Sequence, residues 1–200
     1  MWHTEKSLKG YDMVVLPGGF SYGDYLRAGA IARFSPVMGA VEEHVKRGGL
    51  VLGICNGFQI LTEAHLLPGA LIHNDSMKFI CKDTFIKVEN TGSFVTRGAE
   101  KGKVLRVPIA HMEGRYTAPE DTLKELEDNG RILFRYCERD GTVTPSANPN
   151  GSARNIAGIL SAKGNVAGMM PHPERVCEPE LGGVDGLAVF ESVLNTLSAA

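Results

Sequence analysis

Apolar and polar residues follow one another along the chain in blocks that predict alternating strands and helices. Residues 11–16 form an apolar run that ends at a Pro-Gly-Gly loop, which is typical of a buried parallel strand. Residues 36–47 have apolar positions at helical spacing, and a second apolar run at 50–54 leads into another helical pattern from residue 56 to about residue 64. This order predicts an α/β fold with a doubly wound, mostly parallel sheet flanked by helices.

The later part of the chain has a different pattern, in which short apolar segments predict antiparallel strands. The predicted strands are 79–81, 85–88, 104–110 and 132–136, together with a hairpin formed by 156–160 and 166–170. The helical patterns in this part are 119–128 and 185–197. No internal repeat or linker divides the sequence, so we predict one domain over residues 1–200.

Composition and charge narrow the class of protein. The 200 residues are 43% hydrophobic, enough for a core without disulfides or metal, and the net charge of −2 gives no reason to expect a nucleic acid or a membrane surface as partner. No apolar stretch approaches the ~20 residues of a membrane span. The cysteines include no C-x-x-C pair, so neither a zinc site nor a disulfide framework is indicated, and we predict a reducing, cytoplasmic setting. They are Cys55, Cys81, Cys137 and Cys177.

Cys55 lies where the apolar run 50–54 meets the following helix, between Gly53 and Gly57. This G-x-C-x-G pattern is typical of a nucleophile elbow, a sharp strand-to-helix turn that carries a reactive side chain. The glycines are needed because a β-carbon at either position would collide with the neighbouring strand or helix. The helix N-terminus is expected to favour thiolate over thiol. The alternative interpretation is a buried core cysteine at a strand end.

A thiol nucleophile needs a base, and the base needs an orienting group. Among six histidines, His172 follows the strand predicted at 166–170, and open α/β sheets build their sites at the carboxyl ends of strands. Glu174 is two residues further on and can hold the imidazole. The same His-x-Glu pattern opens the zinc deaminase signature, but no Pro-Cys-x-x-Cys follows, so we reject that interpretation. The alternative is a surface turn with a chance histidine and glutamate.

Acyl transfer from a thiolate also needs hydrogen-bond donors for the oxyanion. The backbone amides of Gly19, after the first predicted strand, and of Asn56, at the start of the helix, are natural donors, although an ordinary turn explains both equally well. His111 is the only other histidine in a glycine-containing loop that could face a site. Residues 98–104 superficially suggest a phosphate-binding loop, but the glycine spacing is one short and Val104 replaces the Ser/Thr that would hold magnesium. Any ATP chemistry must therefore lie elsewhere.

The elbow and the later His-Pro-Glu segment together resemble the class I (triad) glutamine amidotransferases. Within that family the sequence is most similar to the glutaminase subunits of phosphoribosylformylglycinamidine synthases, over essentially the whole chain. The elbow alone indicates only the superfamily. The segments that carry the closer resemblance are 17–30, 108–115, 147–152 and 170–175.

The resemblance implies a role for each site residue. Cys55 attacks the side-chain amide of L-glutamine, His172 protonates the departing ammonia, and Glu174 orients His172. A glutamyl thioester forms, and water hydrolyses it to glutamate. By the same resemblance, the Gly19 and Asn56 amides form the oxyanion hole. Four further positions match those that hold glutamine, and they are Gln59, Asn74, Ser76 and Phe79.

The resemblance also implies partners. A subunit of this kind delivers ammonia to a large synthetase subunit, which uses ATP and Mg to convert formylglycinamide ribonucleotide to the amidine in purine biosynthesis. We expect a small accessory subunit in the same complex, no cofactor in this chain itself, and a cytoplasmic location. Docking is expected because free ammonia would otherwise be lost as ammonium at neutral pH.

Members of the family begin with a further strand, a Pro-Gly-Ser-Asn-type loop and a helix before the position of Trp2, and this sequence starts after them. We therefore expect the family's first strand and helix to be missing, the strand from near the middle of the sheet and the loop from beside the active site. Such a gap would leave an apolar sheet edge uncovered.

Two other functions stay open at this point. A cysteine peptidase or deglycase-like enzyme of related fold could share the elbow, but would not be expected to combine Gln59 with His172 and Glu174. A truncated, non-catalytic binding subunit is suggested only by the missing N-terminal elements.

Overall fold

The strand and helix patterns of the sequence fold into two sheets and four α-helices in the computed structural model, which describes residues 1–199. The strands are β1 (Met13–Leu16), β2 (Leu50–Ile54), β3 (Ala70–Ile72), β4 (Ile80–Val88), β5 (Val104–His111), β6 (Arg115–Thr117), β7 (Ile132–Cys137), β8 (Ile156–Leu160) and β9 (Val166–Met169). The helices are α1 (Pro36–Lys46), α2 (Asn56–Glu63), α3 (Glu120–Asp128) and α4 (Leu187–Leu197). The expected single domain extends to Ala200, which lies outside the described residues.

The main sheet has seven strands in the order β1-β2-β9-β8-β7-β4-β5. The strands β1, β2 and β9 are parallel to one another. The pairings from β9 outward to β5 are antiparallel, since short connections such as the turn between β8 and β9 can only join antiparallel neighbours. The α/β class is confirmed, and parallel pairing is limited to the three strands at one side of a mixed sheet.

The antiparallel part of the sheet curls back over the parallel part. In a flat sheet β9 and β5 would be about 19 Å apart, because four strand spacings of about 4.8 Å separate them. Instead the amide of His172, just after β9, donates a hydrogen bond of 2.8 Å to the carbonyl of Pro108 in β5. The thiol of Cys55 lies 3.8 Å from the carbonyl of Ala110 in the same strand. The curl therefore brings the end of β5 to the ends of β2 and β9.

Two short segments escaped the sequence prediction because three residues are too few to show a period. They are β3 and β6, which pair with each other so that Leu71 lies opposite Tyr116. The ring of Tyr116 stacks on Phe58 of α2 with centroids 6.1 Å apart, and both side chains are fully buried. This small sheet therefore supports the helix that follows Cys55. Among the helices of residues 1–199, none is both long and apolar enough to cross a membrane.

The strand β4 is longer than the sequence pattern indicates. Residues 79–81 and 85–88 were predicted as two strands, because Lys82, Asp83 and Thr84 interrupt the apolar pattern. The structure joins them into one strand, in which Lys82 and Asp83 are exposed while their backbone pairs with β5. Pairing along the whole of β5 therefore overrides the local polar composition.

The main sheet of the described residues is continuous, and the uncovered edge that the sequence predicts lies at its side, at β1. Every neighbouring pair in the strand order is hydrogen bonded, and β1 pairs directly with β2 in the register Met13–Leu50. The uncovered edge is that of β1 itself, where Val15 is 46% exposed. The pairing of β1 with β2 leaves no room for a strand between them.

Candidate active site

Cys55 lies at a sharp turn between β2 and α2, as the sequence predicts. Its backbone has φ 50° and ψ −106°, a conformation that residues with a β-carbon rarely adopt. A β-carbon on Gly57 would meet the carbonyl of Leu16 in β1, and a β-carbon on Gly53 would meet the backbone of Gly57. The two glycines let helix and strands pack closely enough to hold the strained turn, so the predicted elbow geometry is confirmed.

The imidazole of His172 is oriented by Glu174, which accepts a hydrogen bond of 2.6 Å from Nδ1. Burial opposes ionisation of Glu174, but this hydrogen bond and the charges of His172 and Arg175 outweigh it and lower the pKa of the carboxyl. An ionised carboxylate can only accept, so the proton of a neutral His172 is on Nδ1 and Nε2 is free to take another. Nε2 is buried and has no hydrogen-bond partner within residues 1–199.

The structure places His172 beside Cys55. A β-carbon built on Gly18 would lie 2.6 Å from Cε1 of His172 and 3.5 Å from the β-carbon of Cys55. The ring carbon and the cysteine β-carbon are therefore no further apart than the sum of those distances, so the imidazole and the thiol are neighbours. The thiol is directed at the carbonyl of Ala110 and is not hydrogen bonded to Nε2. Gly18 is a glycine because the imidazole occupies the space that a side chain would need.

The setting of Cys55 opposes the expected thiolate. Burial raises the pKa of the thiol to about 12, and this effect exceeds the opposing ones of the Asn56 amide and the Arg175 charge. The favourable partial charge at the start of α2 is too weak to compensate for the loss of hydration. Burial thus favours the thiol form of Cys55, against the thiolate that the helix N-terminus alone would favour.

The two backbone amides predicted to form an oxyanion hole flank the thiol. The Asn56 amide is close enough to the sulfur to lower the pKa of the thiol, and Gly19 lines the cavity next to it with φ 155°, a value that favours glycine. The side chain of Asn56 accepts a hydrogen bond of 3.2 Å from the amide of Ser21 and donates one of 2.9 Å to Gln59. Asn56 thus ties the loop that carries Gly19 to α2. The role of the two amides as oxyanion donors stays a prediction.

A cavity of about 270 Å³ opens next to Cys55. Of the positions predicted to hold glutamine, Gln59 and Phe79 line it, whereas Asn74 and Ser76 do not. Asn74 is fully buried, and its amide donates to the carbonyls of Lys78 and His111. Asn74 thus anchors the surrounding loops, and its role in holding glutamine stays a prediction, as does that of Ser76. A larger cavity of about 780 Å³ near Leu8 contains none of the predicted site residues.

Sequence reasoning missed two carboxylates that line the same cavity, Asp24 and Glu113. Asp24 is in the glycine-rich loop after β1, and Glu113 is two residues after β5. His111, at the end of β5, also lines the cavity, as its glycine-containing setting suggested. The signal that could have found the carboxylates is their position after the ends of strands, where open α/β sheets build their sites.

Comparison with known protein families shows to which family this chain belongs. The family described as CobB/CobQ-like glutamine amidotransferase domain matches residues 1–181. This chain belongs to that glutamine amidotransferase family. The match removes the cysteine peptidase and deglycase-like alternatives and confirms the resemblance seen in the elbow and the His-Pro-Glu segment.

Individual glutamine amidotransferases narrow the assignment. The phosphoribosylformylglycinamidine synthase subunit PurQ of Gloeobacter violaceus is 59% identical over 194 residues, which cover 97% of this chain and 84% of the relative. The same subunit of Moorella thermoacetica is 58% identical over 195 residues, covering 98% and 83%. A chain in the structure of PurLQS from Thermotoga maritima is 46% identical, with a TM-score of 0.85 and coverage of 96% and 82%. A Thermotoga maritima glutamine amidotransferase that is 20% identical, with a TM-score of 0.54 and coverage of 94% and 73%, shares the fold alone.

Proposed function

We propose that this chain is the glutaminase subunit of a phosphoribosylformylglycinamidine synthase and that Cys55, His172 and Glu174 are its catalytic triad. The observation that supports the triad most is the hydrogen bond from Nδ1 of His172 to Glu174, because it leaves Nε2 as a base close to a buried thiol. The high identity to PurQ subunits over nearly the whole chain supports glutamine as the substrate.

The first step joins the sulfur to the carboxamide carbon of L-glutamine. Nε2 of His172 takes the thiol proton as Sγ attacks, a carbon–sulfur bond forms, and the carbonyl electron pair moves to the oxygen. The amides of Gly19 and Asn56 donate hydrogen bonds to this oxyanion. Because burial raises the pKa of Cys55, proton removal accompanies attack and does not precede it.

The second step releases ammonia and then glutamate. The proton on Nε2 of His172 passes to the amide nitrogen, the carbon–nitrogen bond breaks, and ammonia leaves a glutamyl thioester on Cys55. Water then gives a proton to Nε2 and attacks the thioester, and the departing sulfur recovers the proton as glutamate is released. Glu174 stabilises the imidazolium in both halves, since it already accepts the Nδ1 proton at rest.

The ammonia passes to a partner. In this proposal a large synthetase subunit uses ATP and Mg to make the amidine, a small accessory subunit completes the complex, and this chain holds no cofactor of its own. The match to a chain of PurLQS supports such an assembly. The proposal includes a cytoplasmic location, which the four free cysteines support because reduced thiols suit a reducing compartment.

The test compares two cysteine variants in the assembled synthase. Cys55→Ala should lose glutamine-dependent amidine formation and glutaminase activity while it keeps amidine formation from added ammonium salts. Cys81→Ala removes an exposed thiol from β4 and should keep both activities. Glutamine-dependent turnover by folded Cys55→Ala would overturn the proposal.

A further inference from the structure

Two carboxylates that the triad does not use share the cavity with Cys55. Asp24 approaches from the loop after β1, and Glu113 approaches from the segment after β5. The two residues are 89 positions apart in the sequence, so only the fold brings them together. Two carboxylates repel each other more strongly in a cavity than on the protein surface, because water screens their charges less there.

Both carboxylates are held in place by neighbouring groups. Glu113 is only 13% exposed and accepts a hydrogen bond of 2.8 Å from the backbone amide of Ala28. Its other oxygen is 3.4 Å from Nε2 of His73. Asp24 lies 3.4 Å from the side-chain amide of Asn56, next to the nucleophile. The pair is therefore part of the cavity wall and is anchored to elements on both sides of the thiol.

The charges around Asp24 and Glu113 favour the binding of a cation. Burial raises the pKa of Asp24, and the negative charge of Glu113 raises it further, so a bound cation would relieve the repulsion at Asp24. The nearby guanidinium of Arg27 already donates two hydrogen bonds, of 2.5 and 2.7 Å, to the carboxylate of Glu63. Within the described part of the chain, no group of three or more His, Cys, Asp or Glu side chains is arranged to hold a metal ion. An organic ammonium group fits this setting, because it bonds to two carboxylates without a full set of metal ligands.

A second polar group in the same wall independently points to a ligand. His111 is 3% exposed and lines the cavity. Its Nε2 accepts a hydrogen bond of 3.0 Å from Asn150, whose amide orientation is fixed because its oxygen accepts from Ser152. The ring proton is therefore on Nδ1, which is buried and has no hydrogen-bond partner in residues 1–199. Burial and the neighbouring His172 lower the pKa of His111 to about 4, so it stays a neutral donor.

The cavity thus offers two anionic acceptors and one buried N–H donor near a thiol. An α-amino acid carries the complementary groups, namely an ammonium for the acceptors and carboxylate or carbonyl oxygens for the donor. We propose that Asp24 and Glu113 bind the α-ammonium group of L-glutamine and thereby select an α-amino acid amide over an amide that lacks the amino group. This inference rests on the proposed function and names the residues that give it substrate selectivity.

The experiment measures selectivity as well as rate. Glutaminase activity of the assembled synthase is measured with L-glutamine and with 4-carbamoylbutanoate, which is glutamine without its amino group.

Asp24→Asn and Glu113→Gln keep the shape of each side chain and remove its charge. Each should reduce kcat/KM for L-glutamine about ten- to a hundredfold, mainly through KM, because a hydrogen bond to a charged group is lost. Activity with 4-carbamoylbutanoate should stay unchanged or rise. Asp121→Asn, on the exposed helix α3, is the matched control and should change neither.

Two results would overturn the inference. One is a wild-type enzyme that does not distinguish the two amides, and the other is an equal loss with both amides in Asp24→Asn, which indicates a structural role. Glu113→Gln could melt at a lower temperature because its contact with Ala28 is weakened. In that case the kinetics of Asp24→Asn alone test the inference. The proposed function fails separately, through glutamine turnover that survives Cys55→Ala.

Discussion

The cavity has two walls of contrasting construction. The elbow wall, residues 50–63, consists of β2, Cys55 and α2, and every residue from Val51 to Glu63 is buried. The loop wall, residues 19–28, consists largely of exposed side chains, with Leu26 90% exposed. Three of its residues with side chains have positive φ, and they are Tyr22 (55°), Asp24 (52°) and Leu26 (72°).

The two walls are stabilised by different kinds of interaction. The elbow wall is held by close packing, in which a single added carbon meets backbone atoms. The loop wall is held by a few polar contacts, such as those from the amides of Ser21 and Ala28 to Asn56 and Glu113. The nucleophile therefore sits on the rigid wall, whereas one of the two proposed ammonium-binding carboxylates sits on the wall that can adjust to a substrate or a partner.

The largest effect is expected where the walls meet, at His172. His172→Ala should reduce kcat for glutamine hydrolysis about 10²- to 10⁴-fold, because the acid and base of both steps is lost. The fold should persist, as measured by circular dichroism and a thermal melt. His65→Asn is the control, since His65 is exposed and its φ of 56° is one that asparagine tolerates. A kcat within tenfold of the wild type would remove His172 from the mechanism.

The elbow wall should be intolerant of one added carbon. Gly57→Ala should reduce the free energy of unfolding by about 3 kcal/mol, because the new β-carbon meets the Leu16 carbonyl. Gly39→Ala is the matched change in α1, where a β-carbon meets nothing within 4 Å. It should increase the free energy of unfolding by up to about 1 kcal/mol, since alanine is the better helix former. Urea unfolding measures both, and equal effects of the two changes would contradict the packing account.

The same contrast explains what the sequence could predict. Apolar periodicity and glycine spacing are local signals, and they located β2, α2 and the strained Cys55 between them. The contact of Cys55 with β5, the raised pKa of its thiol and the meeting of Asp24 with Glu113 in one cavity depend on the curl of the sheet and on burial. Those are tertiary properties, so no local pattern carries them. Asn74 illustrates the limit, because no local pattern indicates the hydrogen bonds by which its buried side chain joins the surrounding loops.

Protonation of His111 should link stability of the cavity to pH. Below about pH 6.5 the unfolded chain takes up a proton on this histidine, while the folded chain resists until about pH 4, so the free energy of unfolding decreases as pH falls through this range. The wild type should lose about 2 kcal/mol more than His111→Gln between pH 6.5 and pH 4.5. Urea titrations at several pH values measure the difference, and parallel pH profiles would show that His111 is not held neutral.

The smallest effect is expected on the loop wall. Leu26→Gly should change the free energy of unfolding by less than about 0.5 kcal/mol, because little surface is buried there. Glycine also adopts the φ of 72° without strain, which offsets its greater freedom in the unfolded chain. A loss above about 1 kcal/mol in urea unfolding would mean that the loop wall is packed like the elbow wall.

The most direct test of the central claim is to map the site of labelling by a diazoketone analogue of L-glutamine. After incubation of the assembled synthase, peptide mass spectrometry should find one label on each copy of this chain, on Cys55, and L-glutamine should protect against it. The three other thiols, at Cys81, Cys137 and Cys177, should stay unmodified. A label on one of those thiols, or labelling of Cys55 that glutamine does not slow, would contradict the assignment of Cys55 as the nucleophile that cleaves glutamine.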